Sequence, residues 1–435
     1  MITIEKLYTL FRQSTGVSTD SRNITPGSLF FALKGDTFDG NKFVLQALES
    51  GAAYAVTDDL SLPDNSRVIK TDDCLKTLQQ LAAHHRVMLG LPVFALTGTN
   101  GKTTTKELIT AVLSTKYKVV STTGNLNNHI GVPLTLLKMN QETEMAVIEM
   151  GASAPGEIDL LSSICQPNSG LITNVGKAHL LGFGSFEGVK KTKGELYDYL
   201  QKNGGTALYN GMNSHLCEMI LQRAGVKKIE YGLSAQNALV LPATSDNPFL
   251  RIEIKDGRVI NTNMIGDYNA DNVLAALAVG EFAGTDPELS AKAVENYTPS
   301  NNRSQLVKGK FNTLIVDAYN ANPTSMRAAL ENFMQIECSK RVLIIGDMLE
   351  LGEYSSDEHR GILDLIKQMN TESLFFVGTE FKNAAEGDSY FKESANFFQT
   401  SDLLKEYLNN STPKGCTFLI KGSRGTRLEK VIETL

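Results

Sequence analysis

Three α/β domains in succession are predicted for this chain. They are a small N-terminal module over residues 1–86, a central domain with a mostly parallel sheet over 87–303, and a Rossmann-like domain over 304–435. Three observations lead there. At 435 residues the chain exceeds one ordinary core and suits about three domains. From Val93 onward, short apolar runs alternate with helical patterns, the signature of a parallel sheet covered on both faces. The alternation lapses near Asn302 and restarts after Ser304.

The first module carries short β-rich pieces, Ser28–Leu33 and Ala53–Val56, punctuated by Pro26-Gly27 and Asp39-Gly40 turns. A helix over Leu75–Met88 closes it, and Gly90-Leu91-Pro92 marks a boundary. Central strands are expected at Val93–Thr97, Lys118–Ser121, Met145–Met150, Gly170–Asn174 and Thr206–Tyr209. The helix Thr103–Leu113 lies between the first two, with Leu108, Ile109, Val112 and Leu113 on one face. Strict alternation in Leu250-Arg251-Ile252-Glu253-Ile254 predicts an antiparallel extension over Leu239–Met264, turning at Asp256-Gly257. The last domain should have strands at Thr313–Val316, Val342–Ile345, Leu374–Val377 and Thr417–Ile420.

Composition narrows the function classes. Hydrophobic residues make up 42% and charged residues 21%, an ordinary globular balance, and the net charge of −6 offers no basic footprint for nucleic acid. No apolar run approaches the roughly 20 residues of a membrane span, and Met-Ile-Thr-Ile-Glu-Lys lacks the features of a secretory signal. Five scattered cysteines without a Cys-x-x-Cys pair suit reduced core thiols in a cytoplasm.

The most informative segment is Gly98-Thr99-Asn100-Gly101-Lys102-Thr103, set between the first central strand and its helix, with Thr104 behind it. Glycines let backbone N–H groups converge on phosphate oxygens, Lys102 reaches the outer phosphates, and the Thr103 hydroxyl suits Mg²⁺ at the helix N-terminus. The loop is short: position 96, five before Gly101, is Leu96, and the first glycine is Gly98.

Other candidates stand beyond strand ends, where ligands of doubly wound sheets bind. Glu149 ends an apolar strand and is a metal ligand or a solvated strand end. His179 follows another strand; a lone histidine is more often structural, though neutral imidazole can share a metal with carboxylates. Lys193 lies in the helical Lys190-Lys191-Thr192-Lys193, whose first two lysines read as a solvated face. Asn269 and Asn272 open a helix, where their amides suit an adenine edge or a helix cap. Asp317 with the polar Ala318–Met326 loop, and Gly346–Gly352 after the next strand, face one sheet edge and fit a small-molecule site.

Together these segments resemble the Mur ligase family over essentially the whole length. Thr97-Gly98-Thr99-Asn100-Gly101-Lys102-Thr103 is similar to its ATP signature, short loop included. Thr19-Asp20-Ser21-Arg22, Pro26-Gly27-Ser28-Leu29-Phe30 and Asp39-Gly40-Asn41 resemble its uridine-nucleotide module, and Gly124–Pro133 its substrate loop. Tyr319-Asn320-Ala321-Asn322-Pro323 and Gly346–Gly352 resemble the branch that adds D-alanyl-D-alanine, and the Asp-Asn-Pro-Arg motif of the diaminopimelate-adding branch is absent. One departure is Tyr268, where the family often has His.

The resemblance implies that ATP phosphorylates the terminal carboxylate of a UDP-N-acetylmuramoyl-tripeptide and that D-alanyl-D-alanine attacks the acyl phosphate, completing a peptidoglycan precursor. It implies two Mg²⁺ sites, one on Thr103 and Glu149, the other on His179 and Lys193, where a carbamate on Lys193 would supply the oxygen that an ammonium lacks. Lys102, Lys193, His179 and Asp317 become catalytic candidates. Gly98, Thr99, Asn100, Gly101, Lys102, Thr103, Thr104, Asn269, Asn272 and Arg303 become nucleotide contacts. Ser21, Arg22, Asn41, Asn127, Asn128, Asn320, Asn322 and Ser325 become substrate contacts. Lys421, Ser423 and Arg424 either meet the peptide carboxylate or form a solvated turn. Three separately folded units around one site imply hinge closure of the last domain on the nucleotide; a monomer in the cytoplasm, with no membrane or nucleic-acid partner, is expected. Rival readings are another ligase of the superfamily, adding a diamino acid or extending folate, and a non-catalytic nucleotide-binding protein.

Overall fold

The computed structural model describes residues 2–244, 247–300 and 302–435. The first unit is a four-stranded, all-parallel sheet in the order β1 (Val17–Ser18), β2 (Leu29–Phe31), β3 (Tyr54–Thr57), β4 (Val68–Lys70). Around it lie α1 (Ile4–Gln13), α2 (Val44–Glu49) and α3 (Cys74–Leu89). Helix α3 starts where the Asp73 carboxylate accepts from the Lys76 amide at 2.8 Å and stops at Gly90, left-handed at φ +65°. It therefore runs three residues past the expected limit at 86.

The boundary is blurred for a packing reason. One face of the small sheet closes under α2 with Phe30, Val44 and Ala55. The other, with Leu29, Phe31 and Val56, joins Leu78 and Leu81 of α3 in a core that continues to Val93, Ile148 and Ile172 of the central domain. A sheet this small cannot cover both faces itself, so it borrows the wall of its neighbour.

The central sheet runs β6-β7-β5-β8-β9-β10, all parallel, from β5 (Val93–Thr97), β6 (Val119–Ser121), β7 (Met145–Glu149), β8 (Ser169–Ile172), β9 (Thr206–Asn210) and β10 (Lys227–Tyr231). Its helices are α4 (Lys102–Leu113), α5 (Gly131–Leu136), α6 (Glu157–Cys165), α7 (Leu180–Phe183), α8 (Phe186–Lys202) and α9 (Ser214–Leu221). Connections leave β5 and β8 toward opposite sides, which opens a crevice between their carboxyl ends. The expected antiparallel extension is present as β11 (Leu239–Leu241), β12 (Phe249–Glu253) and β13 (Val259–Ile265), with Leu250 and Ile252 buried and Gly257 at φ +80° in the turn. Helices α10 (Ala270–Ala283) and α11 (Pro287–Asn296) complete the domain. Leu108, Ile109, Val112 and Leu113 of α4 are fully buried against α10; each contributes about 1.5–3 kcal/mol.

The last sheet runs β14-β15-β19-β16-β17-β18, from β14 (Gln305–Lys308), β15 (Thr313–Asp317), β16 (Arg341–Gly346), β17 (Ser373–Val377), β18 (Ala395–Phe398) and β19 (Thr417–Lys421). Only the edge strand β14 is antiparallel among these pairs. Its helices are α12 (Pro323–Gln335), α13 (Ser355–Ile366), α14 (Glu380–Ala384), α15 (Ser389–Ser394) and α16 (Ser401–Ser411). Leu180 and Phe183 of α7 pack into this domain's core beside Met348 and Leu351, so the last domain is docked on the central one.

Candidate active site

The β5–α4 loop is held against the end of β8. The Thr99 amide donates to the Asn174 carbonyl at 3.0 Å, the Asn100 amide to Asn174 Oδ1 at 2.9 Å, and Thr173 Oγ1 to the Asn100 carbonyl at 2.7 Å. Gly98, at φ +145°, is obligatory: a Cβ there would lie 2.0 Å from Thr173 Oγ1. Lys102 Nζ turns back onto the carbonyls of Gly98 and Thr99 at 2.8 and 2.9 Å. Burial, reinforced by the nearby Arg303 charge and opposed by Glu149, lowers its pKa to about 8.

Glu149 ends β7 almost fully buried, at 1% exposure. Its Oε1 accepts from Asn127 Nδ2 at 2.7 Å and from Thr103 Oγ1 at 3.3 Å, while Oε2 is buried with no partner among the described residues. An orphaned carboxylate oxygen facing a phosphate loop has the chemistry to receive a cation. Thr103 and Glu149 therefore fit a divalent metal.

His179 caps α7 in a left-handed conformation, φ +51°, and its Nδ1 pairs with Glu350 of the last domain. Burial lowers its pKa, against the raising effect of Glu350, so the neutral ring is favoured. Lys193 of α8, 2% exposed, donates to the Ala152 carbonyl at 3.3 Å and lies 5.3 Å over the Phe183 ring. Burial and then the Lys102 charge, opposed by Glu157 and Glu195, lower its pKa to about 7.

The phosphate loop, Glu149 and His179 line one cleft of about 740 Å³, and Lys193 sits behind its wall, bonded to the lining residue Ala152. The cleft is lined from Thr99 to Thr104 and by Asn127, Asn128, Glu149, His179, Asn269, Asn272 and Arg303, and from the last domain by Asp317, Asn320, Asn322, Ser325 and Lys421. Sequence reasoning missed Glu157 and Asp271 in its wall and Glu350 beside it, and gave no role to Tyr319 within its motif. Helix-forming or loop context hid them; Glu350 lay inside a noted motif without a role.

Several of the expected contact residues also hydrogen-bond within the protein. Asn269 Nδ2 donates to the Ile265 carbonyl at 2.8 Å, Asn272 Nδ2 to Asn269 Oδ1 at 2.8 Å, and Asn272 Oδ1 accepts from Thr105 at 2.9 Å. The pair thus fixes α10 on α4. Tyr268, in place of histidine, donates to or accepts from Ser304 Oγ at 2.9 Å. Asn128 Oδ1 accepts from the Ile130 and Gly131 amides at the start of α5. Asn322 and Ser325 form the reciprocal capping box of α12, and Asn322 Nδ2 also donates to Asn100 Oδ1 at 2.7 Å, bridging the last domain to the phosphate loop. Asn320 Oδ1 accepts from the Ala321 amide at 2.9 Å. Asp317 accepts from buried Lys421 at 2.5 Å, and the Arg303 guanidinium stacks 3.6 Å from the Tyr319 ring centre, flanked on this ring by Arg424 at 5.4 Å. Ser423 is buried and ties the loops after β15 and β16 together through Ala321 and Leu349.

The expected uridine contacts fall away from this cleft. Asn41 is buried, donating to Asp58 at 2.8 Å and accepting from Thr57 at 2.5 Å, a role inside the first domain's core. Arg22 is exposed and forked onto Asp20 at 2.9 and 2.8 Å, beside Ser21. Asp20 and Thr19 do line a second cavity, about 950 Å³, between the first and central domains.

Fold and site define a three-domain α/β protein with a nucleotide-phosphate loop at its central crevice. The Mur ligase middle domain pattern matches residues 96–280, the Mur ligase glutamate ligase domain 302–424, and the Mur ligase family catalytic domain 13–86. The chain belongs to the Mur ligase family. It is 40% identical over 433 residues to the UDP-N-acetylmuramoyl-tripeptide--D-alanyl-D-alanine ligase of Bacillus subtilis (strain 168), covering 97% of this chain and 93% of that protein. The Escherichia coli (strain K12) ligase of the same name is 34% identical, covering 96% and 93%. Among solved structures, MurF from Acinetobacter baumannii superposes with a TM-score of 0.86 at 31% identity, covering 99% of this chain and 97% of that one. MurF from Thermotoga maritima, solved in complex with ADP, shares the fold with a TM-score of 0.85 at 24% identity, covering 98% and 97%. No helix among the described residues is long and apolar enough to cross a membrane.

Proposed function

We infer that this protein is the ATP-dependent ligase that joins D-alanyl-D-alanine to UDP-N-acetylmuramoyl-tripeptide in peptidoglycan precursor synthesis. The observation that carries the reading is the single cleft in which the phosphate loop and Glu149 face Asp317, Asn320 and Ser325 of the last domain. A donor phosphate and an amine acceptor held on different domains meet there. Whole-length likeness to ligases of that name supports the substrate pair.

In this reading the tripeptide carboxylate attacks the γ-phosphorus of ATP and ADP leaves. The amine of D-alanyl-D-alanine then attacks the acyl carbon, and phosphate and a proton are released. Both partners of the first step are anions, so cationic stabilisation dominates. Lys102 exchanges its two loop carbonyls for phosphate oxygens, and the converging loop amides bind the rest. Mg²⁺ held by Thr103 and Glu149, with a second ion on His179 and a carbamylated Lys193, would supply the remaining positive charge. Lys193 suits carbamylation because its lowered pKa leaves a neutral amine near pH 7, the form that adds carbon dioxide. Docking of the last domain keeps water from the acyl phosphate. We place the reaction in the cytoplasm of the cell and assign it to a monomer.

Phosphate release with UDP-tripeptide and ATP should appear only when D-alanyl-D-alanine is added. Release instead with a UDP-dipeptide and free diaminopimelate would reject the assignment in favour of another branch of the family.

A further inference from the structure

The segment after β8 that carries His179 is gripped by the last domain. Lys177 Nζ meets Glu358 at 2.5 Å, the Leu181 amide donates to the Glu350 carbonyl at 3.4 Å, and Leu180 and Phe183 of α7 pack into the last domain's core. At the centre, His179 Nδ1 pairs with the Glu350 carboxylate. Both residues are non-glycines in the left-handed region, at φ +51° and +65°. Such a conformation is unfavourable for a residue with a Cβ and persists only where surroundings impose it. With side-chain exposures of 35% and 61%, the pair itself adds little stability. Its consequence is geometric. A carboxylate on Nδ1 takes that N–H, fixes the tautomer and the ring plane, and leaves the Nε2 lone pair as the free ligand.

We propose that Glu350 is a positioning residue that presents His179 Nε2 to the second divalent cation, so that docking of the last domain completes a metal site otherwise built on the central domain. The proposal rests on the two-metal reading above. Glu149 holds no such dependence, since its partners Asn127 and Thr103 belong to the central domain.

The test counts Mn²⁺ bound to the full-length protein with a non-hydrolysable ATP analogue, by electron paramagnetic resonance and calorimetry. Two ions are expected for the wild type. Glu350→Ala should weaken the second by about 10- to 100-fold and leave the first and the nucleotide affinity unchanged. Glu350→Gln, whose amide oxygen still accepts from Nδ1–H, should restore most of it. Glu358→Gln, which loosens the same docking contact away from His179, should keep both ions. Two ions at wild-type affinity in Glu350→Ala would overturn the proposal and leave the two-metal reading standing. Equal loss in Glu358→Gln would overturn it in favour of general docking. One ion in the wild type would overturn both.

Discussion

Glu149→Gln separates a metal ligand from a structural carboxylate. The amide keeps the volume of the side chain, and its oxygen can still accept from Asn127 and Thr103. What changes is the buried Oε2, now an orphan on an ionised group and then an orphan on a neutral one. A buried polar atom without a partner costs about 1–3 kcal/mol, more when charged. The variant loses the Glu149 attraction for Lys102, which keeps its two carbonyl partners. In EDTA, relief of the orphaned charge should therefore leave the variant more stable than the wild type by about 1 kcal/mol. For a domain near 200 residues that raises the melting temperature by about 2–4 °C. With magnesium and an ATP analogue the order reverses. The wild type gains about 2.7 kcal/mol at one hundred times the dissociation constant, and the variant gains far less. Turnover should fall by about 100- to 1000-fold, the scale of losing one transition-state electrostatic contact. Thermal melts in the two buffers and a phosphate-release assay suffice. A variant that melts below the wild type in EDTA, or keeps its magnesium shift and turns over within tenfold, refutes the reasoning.

Gly98→Ala should abolish nucleotide binding while leaving the far-ultraviolet dichroism native, because its Cβ would overlap Thr173 and force the loop open; calorimetric titration with the ATP analogue checks this. Lys193 has a folded-state pKa lowered from 10.5 to about 7, so the unfolded chain binds more protons between those values and stability rises with pH across that window. Lys193→Met should accordingly be the more stable protein below pH 7, with the advantage shrinking toward pH 10, and ¹³C-bicarbonate should give a carbamate resonance in the wild type that this variant lacks. Asn322→Ala removes a helix cap worth about 1 kcal/mol together with the bridge to Asn100; hydrogen exchange should quicken at the first turn of α12, and nucleotide should no longer slow it.

Local patterns carried much of this molecule. The phosphate loop, Glu149 at a strand end and the antiparallel β11–β13 hairpins are written in apolar runs, glycines and alternation that need no distant partner. Strand β10 had no such mark: Lys227, Lys228 and Glu230 lie at a solvated sheet edge, and an edge strand with exposed side chains shows no apolar run. The same holds for β14, whose side chains are half-buried or exposed. The capping role of Asn322 is local to Asn322-Pro323-Thr324-Ser325, because a capping box spans only four residues.

Composition and spacing by themselves determined a three-domain α/β chain with a nucleotide cradle at the carboxyl edge of its central sheet, because strand, turn and helix periodicities are short-range properties. Tertiary structure alone decided which side chains are spent inside the protein and which face the cleft. Asn41 is consumed by Thr57 and Asp58, while Glu149 keeps one oxygen free. Only folding brought Glu350 to His179, 171 positions apart in sequence (350 − 179) on different domains. Hydrogen bonds and burial act through space over a few ångströms, and no local periodicity encodes a contact that two separate domains make by docking.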